Sequence, residues 1–169
     1  SLESFPNLSK PALKRLELEV ERENLSPVRQ ALDLIRNYRK KGKRILFISD
    51  MYLPSDFLKS QLRRFGFWEE EDRIYVSGEI GLTKHSGNLF RYIQREERIL
   101  RCSWIHVGDN TYSDYYVPKS MFIRSRRIYH PYTSFENLWQ NDMWSPYKKF
   151  LPSYLSGLAR AYRLSLPAS

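Results

Sequence analysis

Apolar residues recur at helical spacing from the start of the chain. In PALKRLELEVEREN (11–24), Leu13, Leu16 and Val20 share one face while acids occupy the other, which predicts an amphipathic helix. A second helix is predicted over 26–42, with Ser26 as N-cap, Pro27 at the first helical position and Gly42 as the stop. Its apolar stripe is Val28, Ala31, Leu32, Ile35 and Tyr38. RILFIS (44–49) breaks the period with an unbroken apolar run, the pattern of a strand covered by helices on both faces. The spacing then predicts a helix over 55–66, with Leu58, Leu62 and Phe65 inward and Gly66 as its stop. A strand over 73–78, a helix over 86–96 burying Leu89, Ile93 and Phe90, a strand over 103–109 and a short strand over 121–125 complete the core.

Strands and helices alternating at this spacing imply an α/β domain built on a parallel sheet, with right-handed crossovers placing helices on both faces. Ligands of such sheets sit beyond the carboxyl ends of the strands. Three of those ends carry polar groups: Ser49-Asp50, Ser77-Gly78-Glu79 and Gly108-Asp109-Asn110. The remainder, residues 131–169, is an aromatic-rich extension interrupted by Pro131, Pro146 and Pro152, with no strand alternation. A short amphipathic helix is expected over 152–165, with Tyr154, Leu155, Leu158 and Tyr162 on one side. That helix would cover the core, dock on a neighbouring domain or touch a membrane surface.

Charge narrows the partners. The 169 residues hold 28 Lys and Arg against 19 Asp and Glu, a net charge of +9. The cations gather in RNYRKKGKR (36–44), REERILR (95–101) and RSRR (124–127), which favours phosphorylated metabolites, acidic polysaccharide, nucleic acid or an anionic membrane face. The first run has a simpler reading as the solvated last turn of a helix, where cations complement the dipole. Nucleic acid is disfavoured, because the arginines do not alternate with aromatics along a platform and no nucleic-acid motif is present. One cysteine, Cys102, excludes an internal disulfide framework and fits a reducing compartment. No run approaches the ~20 apolar residues of a membrane span, and the first ten residues lack the apolar core of a signal peptide. The expected location is the cytoplasm, or the cytoplasmic face of the inner membrane.

HVGDNTYSD (106–114) carries the most specific chemistry. Asp109 and Asp114 on one strand-end loop, with Asn110 between them and Gly108 freeing the turn, have the hard-oxygen character that Mg²⁺ requires. An ordinary polar turn with an Asp N-cap fits the same letters. Lys84, between the second strand and the third helix, can neutralise phosphoryl oxygens as a point charge, or it is one exposed lysine among many. Ser49 offers a hydroxyl beside the free N–H groups of the next turn. His85, His106 and His130 lack the spacing of a zinc site, and His106 alternates with Ile105 and Val107 as a core-adjacent strand residue. Cys102 has no base beside it in sequence and reads as inert, while Trp139 and Trp144 read as residues buried against the sheet.

A strand ending in Ser, a lysine before a later helix and a strand ending in Gly-Asp-x-x-x-x-Asp together resemble motifs two, three and four of the haloacid dehalogenase (HAD) superfamily. ISDMYLP, YVSGEIGLTKHSGNLF and HVGDNTYSD look closer still to a bacterial branch of HAD-like hydrolases joined to, or encoded beside, glycosyltransferases. The resemblance covers roughly residues 16–128. It implies a three-layer Rossmann-like parallel sheet of HAD type and a Mg²⁺-dependent phosphohydrolase, acting on a phosphorylated small molecule such as a sugar phosphate in surface-polysaccharide synthesis. A glycosyltransferase or neighbouring domain is the implied protein partner. Ser49 and Lys84 would bind phosphate, with Lys84 and Asp109 catalytic. Asp109 would hold the metal, Asp114 would be a second ligand or the partner that orients Lys84, and Asn110 would support the metal from behind. Asp50 and Tyr52 would shape the substrate loop.

The family's first motif, an Asp nucleophile in D-x-D, has no counterpart before residue 44, where the acids belong to LELEVERE. Were Asp50 that nucleophile, Ser77 would have to be motif two, only seven residues before Lys84, leaving no room for an intervening helix and strand. Ser49 is the better match for motif two, so the nucleophile strand is expected upstream and the sheet is expected to lack it. The domains expected are a helical lead-in or cap remnant (1–25), a HAD-like core (26–130) and the extension (131–169). The alternative function is a non-catalytic HAD-like binding or scaffold module without the nucleophile.

Overall fold

The computed structural model describes residues 9–128. The expected extension, its helix, His130, Trp139 and Trp144 lie outside them. Helix α1 (Lys10–Asn24) begins where the Ser9 hydroxyl accepts the Ala12 N–H, with Pro11 in the first turn. It buries no residue, and Leu13, Leu16 and Val20, its expected apolar face, are each about half exposed. Helix α2 runs Arg29–Lys40, two residues later at its start than Ser26 and Pro27 predict. The Val28 carbonyl accepts both the Ala31 and Leu32 N–H groups, so the first turn is wound on Val28 and no side chain caps it. Gly42, at φ 66°, supplies the left-handed exit.

Strand β1 (Leu46–Ser49) leads through a loop to α3 (Ser55–Arg64) and then to β2 (Arg73–Val76). β1 and β2 pair in parallel, from Leu46 opposite Arg73 to Ser49 opposite Val76. The strand expected over 73–78 stops at Val76, because Ser77–Ile80 winds into the short helix α4, closed by Gly81 at φ 75°. Helix α5 (Asn88–Glu96) follows, with Leu89, Phe90 and Ile93 buried as its pattern predicts. A 3₁₀ turn (Arg101–Ser103) enters β3 (Ile105–Gly108), a π-helical turn (Thr111–Tyr116) continues into α6 (Val117–Ser120), and β4 (Arg124–Arg127) pairs with β3 in parallel.

The strand expected over 121–125 is a correction. The Pro118 carbonyl accepts the N–H of both Met121 and Ile123, so these residues close a helix end instead of extending. Met121 and Ile123 are buried from that turn, Phe122 is turned outward at φ 61°, and the strand starts only at Arg124.

The molecule is therefore mixed α/β, with short parallel strands in two pairs, and no ladder joins β1–β2 to β3–β4 among the described residues. β1 is half-buried along its whole length, so its apolar run does not mark two covered faces. Both pairs meet at α5. Leu89, Phe90 and Ile93 pack with Trp104, Met121 and Ile123 from the second pair's side, and Leu46, Ile48, Tyr75 and Ile80 from the first side lie against that cluster. Burying each such side chain contributes about 1.5–3 kcal/mol, so α5 supplies much of what holds the two pairs in one body. Among the described residues no helix is long and apolar enough to cross a membrane.

Candidate phosphate-binding site

The carboxyl ends of β1 and β3 are joined by one lysine. Lys84 lies in the loop between α4 and α5, which opens at Gly81 and closes at Gly87, where the Lys84 carbonyl accepts the Gly87 N–H. Its own backbone N–H donates to both oxygens of Asp50, at 2.9 and 3.1 Å, just beyond β1. Its ammonium reaches the other strand pair and donates to Asp114 Oδ1 at 2.6 Å. The lysine is thus held at its backbone by one strand end and at its charge by the other.

Asp114 is almost wholly buried, at 2% exposure. Its Oδ1 also receives His106 Nε2 at 2.9 Å, and its Oδ2 receives the Asn110 N–H at 3.1 Å. The π-helical turn makes this return possible. Asn110 starts it by accepting the Tyr112 and Ser113 N–H groups on its side-chain oxygen, and the widened turn folds Asp114 back over Gly108. A Cβ at Gly108 would stand 2.4 Å from Asp114 Cγ, so glycine is needed here for the close approach rather than for any unusual φ.

Burial alone pushes the Asp114 carboxyl up, but the hydrogen bonds from His106 and Lys84, with the lysine charge, outweigh it and hold the group well below the usual carboxylate range. Burial dominates at His106 and lowers it from its ordinary 6.5, against the opposing pull of Asp114. A neutral imidazole carrying its proton on Nε2 fits both facts, since that nitrogen faces a carboxylate. Three donors, the Lys84 ammonium, His106 Nε2 and the Asn110 N–H, converge on the Asp114 carboxylate.

The other expected site residues lie at the same strand ends or on the loops that follow them. Ser49 is the last residue of β1, beside Asp50, and Asp109 is exposed immediately after β3. Asn110 caps the π-helical turn. Tyr52 turns towards α1, where Glu17 first and Glu21 after it raise its pKa, so it borders the lead-in helix. The loop bearing Asp50 and Tyr52 is fastened to the end of β2, where the Gly78 N–H donates to the Met51 carbonyl at 3.0 Å.

Among the described residues no group of three or more His, Cys, Asp or Glu gathers as a metal cage. Mg²⁺ does not need one, since it keeps waters and is commonly held by one or two carboxylates with substrate phosphate oxygens. Asp109, an exposed carboxylate residue directly after β3, fits that mode. His106 was missed as a site residue. Its only signal was a polar side chain between Ile105 and Val107 in a strand, which burial explains equally well. The bond from Asp50 to the Lys84 backbone had no sequence signal.

No protein-family model matches the chain, and no curated protein matches it.

Proposed function

We propose that this chain carries the phosphate-binding part of a HAD-type, Mg²⁺-dependent phosphohydrolase, with the nucleophilic aspartate supplied from outside the described residues. The observation that carries the reading is the two-ended hold on Lys84, which keeps an ammonium at the shared rim of two parallel strand pairs. In this reading β1–β2 and β3–β4 belong to one three-layer Rossmann-like sheet whose first strand is not among the described residues. The parallel sense of both pairs and their common packing on α5 support it.

An aspartate would attack phosphorus as the leaving-group oxygen departs, and water would then hydrolyse the aspartyl-phosphate. Lys84 neutralises charge on the equatorial oxygens, and Asp114 and His106 keep its ammonium aimed. Ser49 donates its hydroxyl to the phosphoryl group. Asp109 would hold Mg²⁺, which when bound spreads the developing negative charge. Following the resemblance, the substrate is a phosphorylated small molecule such as a sugar phosphate of surface-polysaccharide synthesis, with a glycosyltransferase or adjoining domain as protein partner.

The second reading is a non-catalytic binding or scaffold module, which the absence of a poised nucleophile among the described strand ends keeps open. Both oxygens of Asp50, the carboxylate at the end of β1, accept the Lys84 N–H, so Asp50 is not poised to attack phosphorus. Phosphatase assays on this chain and on the gene product extended upstream separate the two. The enzyme reading expects Mg²⁺-dependent turnover only in the extended chain, reduced by about 100-fold or more in Asp109→Asn. Indifference of both chains to Mg²⁺, with no turnover in either, leaves the binding module.

A further inference from the structure

Two exposed rings lie on the segments that carry Lys84 and Asp114. His85 follows Lys84 directly, Tyr112 follows Asn110 by two residues, and their ring centroids lie 4.6 Å apart with planes inclined at 38°. Tyr112 is 52% exposed even with His85 against it. Its backbone N–H is fixed by the Asn110 side chain, so the ring rises from an anchored turn rather than a loose one. The contact joins the loop carrying Lys84 to the turn carrying Asp114, the same two segments joined by the Lys84–Asp114 pair. The outer faces of such a pair offer apolar area that a ring-bearing ligand would bury.

We propose that His85 and Tyr112 form a stacking platform for the leaving group, making the substrate a phosphate monoester whose alcohol carries a ring with a broad C–H or π face. This rests on the phosphate-binding reading of Lys84. A ring covers an aromatic face with little entropy lost, because it is rigid, whereas an acyclic chain of similar polarity must be ordered to do so. A pyranose offers an axial C–H face and a nucleobase a π-face. Both fit the same surface, and the platform by itself does not reject either.

Calorimetric titration of the chain in Mg²⁺ with inorganic phosphate, glycerol 3-phosphate, glucose 1-phosphate and adenosine monophosphate tests it. At least one ring-bearing ester is expected to bind about tenfold more tightly than the acyclic ester, and its identity names the ring. Tyr112→Ala is expected to erase that surplus and leave inorganic phosphate unchanged, Tyr112→Phe to retain it, and His85→Ala to diminish it. Equal affinity for ring-bearing and acyclic esters, or a surplus that survives Tyr112→Ala, overturns the platform while phosphate binding stands. Failure of inorganic phosphate to bind at all, or binding indifferent to Lys84→Gln, overturns the underlying site and the platform with it.

Discussion

Asp114 shows how one residue can be fixed by chemistry that its position in sequence does not disclose. Its spacing from Asp109 suits a cation or a lysine equally, and which of them it meets depends on where its lone pairs point. His106 decides much of that, and a strand histidine looks the same in sequence whether it is core filler or a donor. The two groups give stability opposite origins but the same pH direction. His106 has a folded pKa below its ordinary 6.5, so as pH falls through about 6.5 the unfolded chain takes a proton that the folded chain refuses, and stability declines. Asp114 is held below its ordinary 3.8, so its contribution is complete above about pH 4 and is lost as pH falls further. Urea midpoints measured from pH 7.5 to 3 are therefore expected to fall in two stages. His106→Gln should flatten the first stage and leave the second. A decline between about pH 6.5 and 5 as steep as the parent's would refute the burial of a neutral imidazole.

At the scale of elements, periodicity located what local forces decide and failed where a single tertiary contact intervened. Helix α5 was legible because Leu89, Phe90 and Ile93 lie on one face and nothing competes with it. The strand expected over 121–125 was not, because one carbonyl, that of Pro118, accepts two N–H groups and converts an apolar run into a turn. The π-helical turn was equally hidden: its letters, TYSDYY, have no helical period, and the Asn110 cap with the buried Asp114 carboxylate imposes it. That dependence is testable at Gly108. Its Cβ would overlap Asp114 at 2.4 Å, so Gly108→Ala must push the turn away from β3. Overpacking of this kind costs about 1–3 kcal/mol. The expected outcome is a urea midpoint lowered accordingly, together with loss of the Lys84–Asp114 contact in the amide spectrum around residue 84. An alanine variant as stable as the parent, with that region unshifted, would mean the turn is not held by this approach.

For the whole molecule, the sequence signalled an α/β body with its chemistry at strand ends, but the apolar run of β1 overstated how deeply that strand lies. Apolar composition reports what a segment can bury, and β1, paired on one side among the described residues, buries only part of it. The net charge of +9 has a similar ambiguity, since spread cations and a focused anion site give the same total. Linkage separates them. Chloride should raise the urea midpoint by screening repulsion among the basic runs, whereas an anion bound at one site adds RT ln(1 + [L]/Kd), about 1.4 kcal/mol at ten times its dissociation constant. Phosphate is accordingly expected to stabilise the chain more than chloride at equal ionic strength. Lys84→Gln, which keeps a donor for Asp114 but removes the charge, should abolish the difference while preserving the chloride response. A phosphate surplus undiminished in Lys84→Gln would assign the anion to the basic runs at 36–44 or 124–127, and equal effects of the two salts in the parent would leave Lys84 with a purely structural charge pair.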